Sequence, residues 1–268
     1  MRAARPRRAV LVAAVLAAVA LVAGCDQGAS PLDSRATASP EPTLDTSALV
    51  LPSGVVPTLS DVQAPSSADP TGGIPVSDEG VGVAGEGDVV VDVYFDFMCP
   101  YCGLLDQING PDLDALVAEG GVTVVYHPVT ILDRYSQGTA YSTRAVNAVA
   151  VVADREPEHV PAFIAALLAD GTQPEENTEA LTDAQIAQTA QDVGVSEAVT
   201  DTFTATAEFQ GTQLRTFVPW AAAVTALLPV NPATGYQSTP TLLVDGEWFA
   251  ENWMQSGTLR AAVEAAKA

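Results

Sequence analysis

Basic residues are scarce in this chain. Among its 268 residues, 11 are lysine or arginine and 33 are aspartate or glutamate, which gives a net charge of −22 at pH 7, and Lys267 is its one lysine. A surface with this charge repels phosphate backbones and anionic lipid head groups. The composition therefore argues against nucleic acid as a partner. Two explanations of the charge stay open. One is a bias against acidic protein clients, and the other is solubility or a generally acid-rich proteome.

Cysteine and histidine, the usual ligands of structural zinc, are few as well. The chain has three cysteines, Cys25, Cys99 and Cys102, and two histidines, His127 and His159. A structural zinc site needs a second cysteine or histidine pair at similar spacing, and the two histidines lie far apart. This argues against zinc. A copper site of Cys99, Cys102 and His127 stays open, because His127 ends a predicted strand.

The N-terminus has the pattern of an export signal. Four arginines in residues 1–8 precede a run of 14 residues, AVLVAAVLAAVALV, without a polar side chain. The run is shorter than the roughly 20 residues that span a bilayer, which favours cleavage over an uncleaved anchor. The following LVAGC resembles the lipobox of bacterial lipoproteins. That resemblance implies a signal peptide over residues 1–24, a lipid-bearing Cys25 and a location on the outer face of the cell membrane.

Export changes both the charge and the number of available thiols. Without the four early arginines, seven basic residues remain against 33 acidic ones, a net charge of −26. If Cys25 is lipidated, Cys99 and Cys102 are the two cysteines left, an even number in a compartment where disulfides persist. We expect the fold to depend on its hydrophobic core, with no structural disulfide elsewhere.

Composition divides the rest of the chain into two parts. Residues 25–85 are rich in Pro, Ser, Thr and Asp without helical or strand periodicity, which predicts a disordered tether. Residues 86–268 predict an α/β domain. GDVVVDVYFDF and VTVVYHPV predict strands on either side of a helical segment, which NGP at residues 109–111 breaks or kinks. This order builds a parallel strand pair.

A helical block interrupts that α/β domain at about residues 138–230. It contains YSTRAVNAVAVVAD, HVPAFIAALLAD, TDAQIAQTAQDVG, SEAVTDTFTATAEF and TQLRTFVPWAAAVTALL, each predicted to be helical. TPTLLVDGEWF then predicts a hairpin that turns at the Asp-Gly pair, and a final helix closes the chain.

Cys99 and Cys102 lie where the first strand passes into the helix, in YFDFMCPYCG. Pro100 suits the first helical turn, so the Cys99 sulfur is predicted to face free N–H groups, which favour a thiolate. A disulfide across so short a loop stabilises a fold by only about 2 kcal/mol, a weak structural clip. As a redox pair, Cys99 attacks a client disulfide and Cys102 resolves the mixed disulfide.

Two motifs resemble the DsbA-like thiol-disulfide oxidoreductases, a family with a helical domain inserted into a thioredoxin fold. YFDFMCPYC resembles the family's strand leading into C-P-x-C, including an acid at Asp96, and STPTLLVDG resembles its T-P-T strand. The resemblance implies a cis Pro240 opposite the cysteines, with Thr239 holding an extended client peptide. It covers about residues 86–268 and implies a thioredoxin-like fold with an inserted helical domain.

The same resemblance implies exchange of disulfides with exported proteins, recycling by a membrane redox partner and no cofactor beyond the cysteine pair. Tyr101 follows Pro100 where the strongly oxidising members have histidine, so we expect a moderately lowered Cys99 pKa. Asp96 would oppose the thiolate, face water or cap the turn, and Asp92 would be a proton acceptor or an edge residue. Two other functions stay open: a non-enzymatic binding lipoprotein and a copper or zinc carrier.

Overall fold

A computed structural model describes residues 44–268. The predicted signal peptide, Cys25 and the first part of the predicted tether lie outside the described residues. The strands are β1 (Ile74–Ser77), β2 (Gly80–Val81), β3 (Val89–Phe95), β4 (Val122–Pro128), β5 (Thr206–Phe209), β6 (Thr212–Arg215), β7 (Thr241–Val244) and β8 (Glu247–Trp248). The helices are α1 (Pro100–Glu119), α2 (Tyr141–Arg155), α3 (Val160–Leu168), α4 (Asp183–Asp192), α5 (Glu197–Thr200), α6 (Val218–Ala226) and α7 (Thr258–Ala266).

A six-stranded sheet in the order β2-β1-β4-β3-β7-β8 forms the centre of the fold. The predicted strand-helix-strand unit is β3-α1-β4, and its two strands pair in parallel, with Val91 opposite Val124. Alternate residues of β3, including Val91 and Val93, are buried beneath the helices, as expected for a strand rich in valine. The α/β class is confirmed.

Helix α1 runs unbroken through Pro111. Of the break or kink predicted at residues 109–111, the break is therefore wrong. A proline inside a helix removes one hydrogen bond, but Leu113 and Leu116 just beyond it are buried, and their packing offsets that loss. Asn109 adds support from outside the helix, because its side-chain amide donates to the Trp253 carbonyl at 3.0 Å.

The tether prediction is wrong for residues 44–85, which belong to the folded unit. Strand β1 pairs antiparallel with β4, with Ile74 opposite Tyr126, and Ile74 is fully buried. Ser67, farther towards the N-terminus, donates to the Ala153 carbonyl of α2 at 2.7 Å. The sequence of this segment did not indicate ordered structure, because a four-residue strand, IPVS, is too short to show periodicity. The described domain starts at Leu44, not at residue 86.

The predicted helical block is confirmed as an insertion between β4 and β7, from α2 to α6. Residues 206–215 within it are a β-hairpin, so the helices predicted there are wrong. Gln210 and Gly211 both have positive φ, 47° and 80°, as a two-residue hairpin turn requires. Arg215 at the end of β6 pairs with Asp183 of α4 through contacts of 2.6 and 2.9 Å.

The C-terminal elements agree with those predicted from the sequence. β7 and β8 form the predicted hairpin, with Val244 opposite Glu247, and α7 closes the chain beside α1. Within residues 44–268, no helix has the length and apolar character needed to cross a membrane.

Removal of residues 44–85 tests the corrected boundary. A chain of residues 86–268 loses β1 and β2, which leaves the β4 edge unpaired and uncovers the apolar surface beneath Ile74. We expect it to unfold at lower urea than residues 44–268, because burying one such side chain contributes about 1.5–3 kcal/mol. Urea unfolding followed by circular dichroism measures this. Equal unfolding midpoints would show that the segment is dispensable.

Candidate active site

The turn after β3 places Cys99 at the start of α1. The Cys99 N–H donates to the Asp96 carbonyl at 3.0 Å, which closes a four-residue turn. Cys99 is the N-cap residue of α1, and Pro100 is the first residue of the helix. The sulfur therefore lies where the first N–H groups of a helix have no partner within the helix. This is the position predicted from the sequence.

The segment before β7 brings Thr239 and Pro240 to the same place. β7 pairs antiparallel with β3, with Thr241 opposite Tyr94, so the residues that precede β7 lie beside those that follow β3. The Thr239–Pro240 peptide bond is cis. The Cys99 thiol lies 3.3 Å from the Thr239 carbonyl oxygen. Two segments 140 residues apart therefore meet at the sulfur, as the resemblance implies.

The surroundings of Cys99 lower its pKa to about 6. A hydrogen bond from the Cys102 thiol is the largest cause, and the Thr239 side chain and the N–H groups of Cys102 and Tyr101 add to it, while burial opposes them. Hydrogen bonds to the charged form favour that form. At neutral pH the sulfur is a thiolate, which is the nucleophile in disulfide exchange. The moderate lowering agrees with the expectation from the Pro-Tyr dipeptide.

Cys102 has the opposite environment. Its side chain is 1% exposed, and burial raises its pKa well above the ordinary value, with the neighbouring Cys99 sulfur adding to the effect. Both cysteines are free thiols in this structure. One sulfur of the pair is therefore poised to attack, and the other is shielded and protonated.

Asp96 is the acid that precedes the cysteines, and it is fully buried. Its carboxylate accepts hydrogen bonds from the N–H groups of Met98 and Leu132, both at 2.9 Å, and from the Ser142 hydroxyl at 2.7 Å. Burial raises its pKa to about 7 against these three bonds. Of the alternatives left open by the sequence, Asp96 caps the turn and does not face water.

The sequence did not point to Gln173, which follows α3. Its side-chain amide donates to the Phe97 carbonyl at 3.2 Å and to the Cys99 carbonyl at 2.9 Å. A Cβ atom at Gly103 would come within 2.3 Å of the Gln173 side-chain oxygen and 2.9 Å of the Leu168 carbonyl oxygen, so glycine is needed there for the close approach. No local signal marks a glutamine 74 residues downstream as part of the site.

His127 is not gathered with the cysteines. Its Nε2 pairs with Asp92 at 2.8 Å, and its ring stacks on Tyr94 with the centroids 4.1 Å apart. Asp92 is therefore the partner of a buried histidine. Across residues 44–268, no three His, Cys, Asp or Glu side chains are placed to hold a metal ion.

Two of the other predicted site residues lie at the surface, and one lies outside the described residues. Pro100 is exposed, and Tyr101 between the cysteines is 58% exposed, which leaves its ring available to a bound protein. Cys25 lies outside the described residues.

A C-P-x-C pair at the junction of a strand and a helix, opposite a cis-proline, defines a thioredoxin-fold site, and the inserted helices are those of the DsbA-like type. A family model described as Thioredoxin matches residues 84–265. The chain belongs to this thioredoxin family.

Solved structures of similar fold include thiol-disulfide oxidoreductases. The reduced DsbG of Mycobacterium tuberculosis has a TM-score of 0.59 and 26% identity, covering 74% of this chain and 88% of that one. Oxidised Mtb DsbA has a TM-score of 0.58 and 27% identity, covering 73% and 92%. MdbA of Actinomyces oris, at 20% identity and a TM-score of 0.57, covers 76% and 90% and shares the fold. These similarities support an oxidoreductase role.

A segment of 106 residues is 38% identical to the serine/threonine-protein kinase PknE of Mycobacterium tuberculosis. The segment is 39% of this chain and 19% of the kinase, so the chain spans about a fifth of the length of the curated relatives it matches.

The pKa of Cys99 predicts how its reactivity depends on pH. A pKa of about 6 makes most of the sulfur thiolate at pH 7 and leaves about a tenth at pH 5. We expect the rate of Cys99 alkylation by iodoacetamide to fall about tenfold over this range, since the thiolate is the reactive form. Mass spectrometry of the reduced protein measures this, because buried Cys102 is protected. Thr239→Val, which lacks the hydroxyl, should move the midpoint upward. A wild-type midpoint above pH 8 would contradict the environment described for Cys99.

Asp96→Asn should destabilise the domain. The carboxylate has two acceptor oxygens and an amide has one. The substitution would therefore leave either the Leu132 N–H or the donors on the other oxygen without an acceptor, a loss of about 1–3 kcal/mol in the free energy of unfolding. Ser142→Ala removes one of three donors and is the milder control.

The raised pKa of Asp96 sets the sign of the pH dependence of its contribution to the free energy of unfolding. The folded pKa of Asp96, about 7, is above the unfolded value of 3.8, so the folded state binds the extra proton between these pH values. The contribution of Asp96 to stability therefore falls as pH rises from about 4 to 7, and Asp96→Asn should remove this slope. Urea unfolding at pH 5 and pH 8 checks both points. A variant with wild-type stability and slope would contradict the capping role.

Proposed function

We propose that the chain is an exported thiol-disulfide oxidoreductase that exchanges disulfides with secreted or cell-envelope proteins. The observation that carries the proposal is the contrast within the cysteine pair. Cys99 has a pKa of about 6 and lies 3.3 Å from the Thr239 carbonyl, whereas Cys102 is buried and protonated. Such a contrast suits a nucleophile and a resolving thiol.

The exchange reaction takes place in two steps. The Cys99 thiolate attacks one sulfur of a client disulfide, which forms a mixed disulfide and releases the other client sulfur as a thiolate. Cys102 then attacks the Cys99 sulfur, which closes the Cys99–Cys102 disulfide and releases the reduced client. In the opposite direction the same steps oxidise a client dithiol. A membrane redox partner that recycles the pair would set the net direction, and the reaction needs no cofactor.

Thr239 and Pro240 are placed to hold the client. The Thr239 backbone, next to the Cys99 sulfur, offers hydrogen-bonding groups to an extended peptide that approaches the mixed disulfide. Exposed Tyr101 offers an apolar surface beside the sulfur. Backbone pairing of this kind binds many sequences, which suits an enzyme with several clients.

Location outside the cytoplasm is part of the proposal. The basic N-terminus, the apolar run and LVAGC support cleavage before Cys25 and lipid attachment there. Disulfides persist in that compartment, so a redox-active pair has clients there.

Replacement of Cys102 by alanine tests the proposed chemistry. Without the resolving thiol, the mixed disulfide through Cys99 should accumulate when the protein is mixed with a disulfide-bonded secreted client. Non-reducing electrophoresis detects the conjugate, and a reductant should release it. Cys99→Ser is the matched control and should form no conjugate through the pair, since its other thiol, Cys102, is 1% exposed. If Cys102→Ala forms no conjugate and still catalyses exchange, Cys99 and Cys102 do not have these roles. An inert pair would favour a non-enzymatic binding lipoprotein, and stoichiometric metal binding that requires Cys99 would favour a carrier.

A further inference from the structure

The side chain of Gln173 joins the inserted helical block to the backbone of the active-site turn. Its amide nitrogen donates to the Phe97 carbonyl at 3.2 Å and to the Cys99 carbonyl at 2.9 Å. An amide nitrogen carries two N–H groups, so one side chain can bridge two carbonyls of the same turn. Gln173 therefore clamps residues 97–99, which end at the reactive sulfur.

The two bridged carbonyls have different surroundings. Phe97 is fully buried, so its carbonyl oxygen needs a hydrogen-bond donor from within the protein. The Cys99 carbonyl accepts the first hydrogen bond of α1 from the Cys102 N–H at 2.9 Å, and Gln173 donates to the same oxygen. The direction of this carbonyl and the direction of the sulfur are linked, because both belong to one residue. The bond from Gln173 therefore acts on the direction of the sulfur.

The direction of the Cys99 sulfur decides how well its thiolate is stabilised. Hydrogen bonds with the Cys102 thiol, the Thr239 side chain and the N–H groups of Cys102 and Tyr101 lower its pKa to about 6, against the effect of burial. Hydrogen bonds weaken steeply as their distances and angles depart from the preferred values. A small rotation of the turn would weaken several of these bonds together.

Gln173 is itself held in place by its own segment. The α3–α4 segment, residues 169–180, begins with a turn in which the Gln173 N–H donates to the Ala169 carbonyl at 3.0 Å. Farther along, the Asn177 N–H donates to the Tyr135 carbonyl at 2.7 Å. A side chain on a backbone that is already ordered loses less conformational entropy when it makes its bonds.

The α3–α4 segment contacts α1 at two places. A Cβ atom at Gly103 would lie 2.3 Å from the Gln173 side-chain oxygen and 2.9 Å from the Leu168 carbonyl, so the glycine on α1 lets the end of α3 approach. The Gln107 amide, about two helical turns beyond Cys99, donates to Asp170 at 2.8 Å. One contact reaches the active-site turn, and the other does not.

We propose that Gln173 is a positioning residue through which the inserted helical block sets the reactivity and the reduction potential of the Cys99–Cys102 pair. Its two hydrogen bonds hold the turn in the orientation that directs the Cys99 sulfur at its donors. The thiolate exists only in the reduced protein, so a clamp that favours it makes the disulfide more oxidising. This role rests on the proposed function, because a potential matters to a pair that exchanges disulfides.

Gln173→Met tests the role, because methionine keeps an unbranched side chain and removes both donors. The rate of Cys99 alkylation by iodoacetamide is measured against pH, and mass spectrometry shows from unmodified Cys102 that the variant is folded. We expect the midpoint to rise by about one pH unit from its wild-type value of about 6, the effect of one weakened hydrogen bond to the thiolate. Gln173→Asn keeps an amide but is one methylene too short to reach both carbonyls, so it should raise the midpoint as well.

Gln107→Met is the matched control. It makes the same substitution and removes the other hydrogen bond between the α3–α4 segment and α1, the 2.8 Å contact with Asp170. Its alkylation midpoint should stay at the wild-type value, because that bond does not reach the active-site turn.

Equilibration with glutathione gives the second readout. Glutathione disulfide takes two electrons and two protons from the Cys99 and Cys102 thiols, which yields the protein disulfide and two molecules of glutathione. A Cys99 pKa that rises from about 6 to about 7 lowers the ratio of thiolate to thiol at pH 7 from about ten to about one. The equilibrium constant for oxidation of Gln173→Met should therefore be about fivefold higher than in the wild type, a potential about 20 mV more negative.

An unchanged midpoint in Gln173→Met, together with a lower urea midpoint, would show that the amide only supports the fold, and this would overturn the inference. An equal shift in Gln107→Met would also overturn it, because the effect would then belong to the whole segment. If Cys102 becomes reactive in Gln173→Met, that variant is unfolded, and a wild-type midpoint in Gln173→Asn would then overturn the inference. A wild-type pair that does not exchange with glutathione would instead contradict the proposed function, while the alkylation midpoints would still test Gln173.

Discussion

The site depends on the short turn that joins β3 to α1. This turn holds the Cys99 sulfur at the first N–H groups of the helix and 3.3 Å from the Thr239 carbonyl. Asp96 maintains it from the inside, because its buried carboxylate connects the turn to the loop after β4 and to α2. Gln173 maintains it from the other side through the Phe97 and Cys99 carbonyls. The inserted helices therefore take part in building the site.

The same arrangement gives two chemically similar residues opposite properties. Hydrogen bonds lower the pKa of Cys99 from 9.0 to about 6, which corresponds to on the order of 4 kcal/mol in favour of its thiolate, while burial keeps Cys102 protonated. In a pair with such different pKa values, the ionised sulfur attacks first and the protonated sulfur reacts in the second step.

Much of the fold and the centre of the site could be predicted from the sequence, because their signals are local. Dense valine runs indicate β3 and β4, and Pro100 after Cys99 indicates the start of a helix. The order in residues 44–85 could not be predicted, since Ile74 is stabilised by a strand 50 residues away and its own segment has no periodicity. The contribution of Gln173 depends on packing between elements, which spacing along the chain does not show.

The reduction potential of the Cys99–Cys102 pair, measured against glutathione buffers on the chain without its predicted signal peptide, tests the central claim most directly. A thiolate that the fold stabilises favours the reduced form and makes the disulfide more oxidising. The Cys99 pKa of about 6 lies between those of thioredoxin, about 7, and DsbA, about 3.5. We therefore expect a potential between about −270 and −120 mV. A potential below about −300 mV, typical of a structural disulfide, would contradict the account.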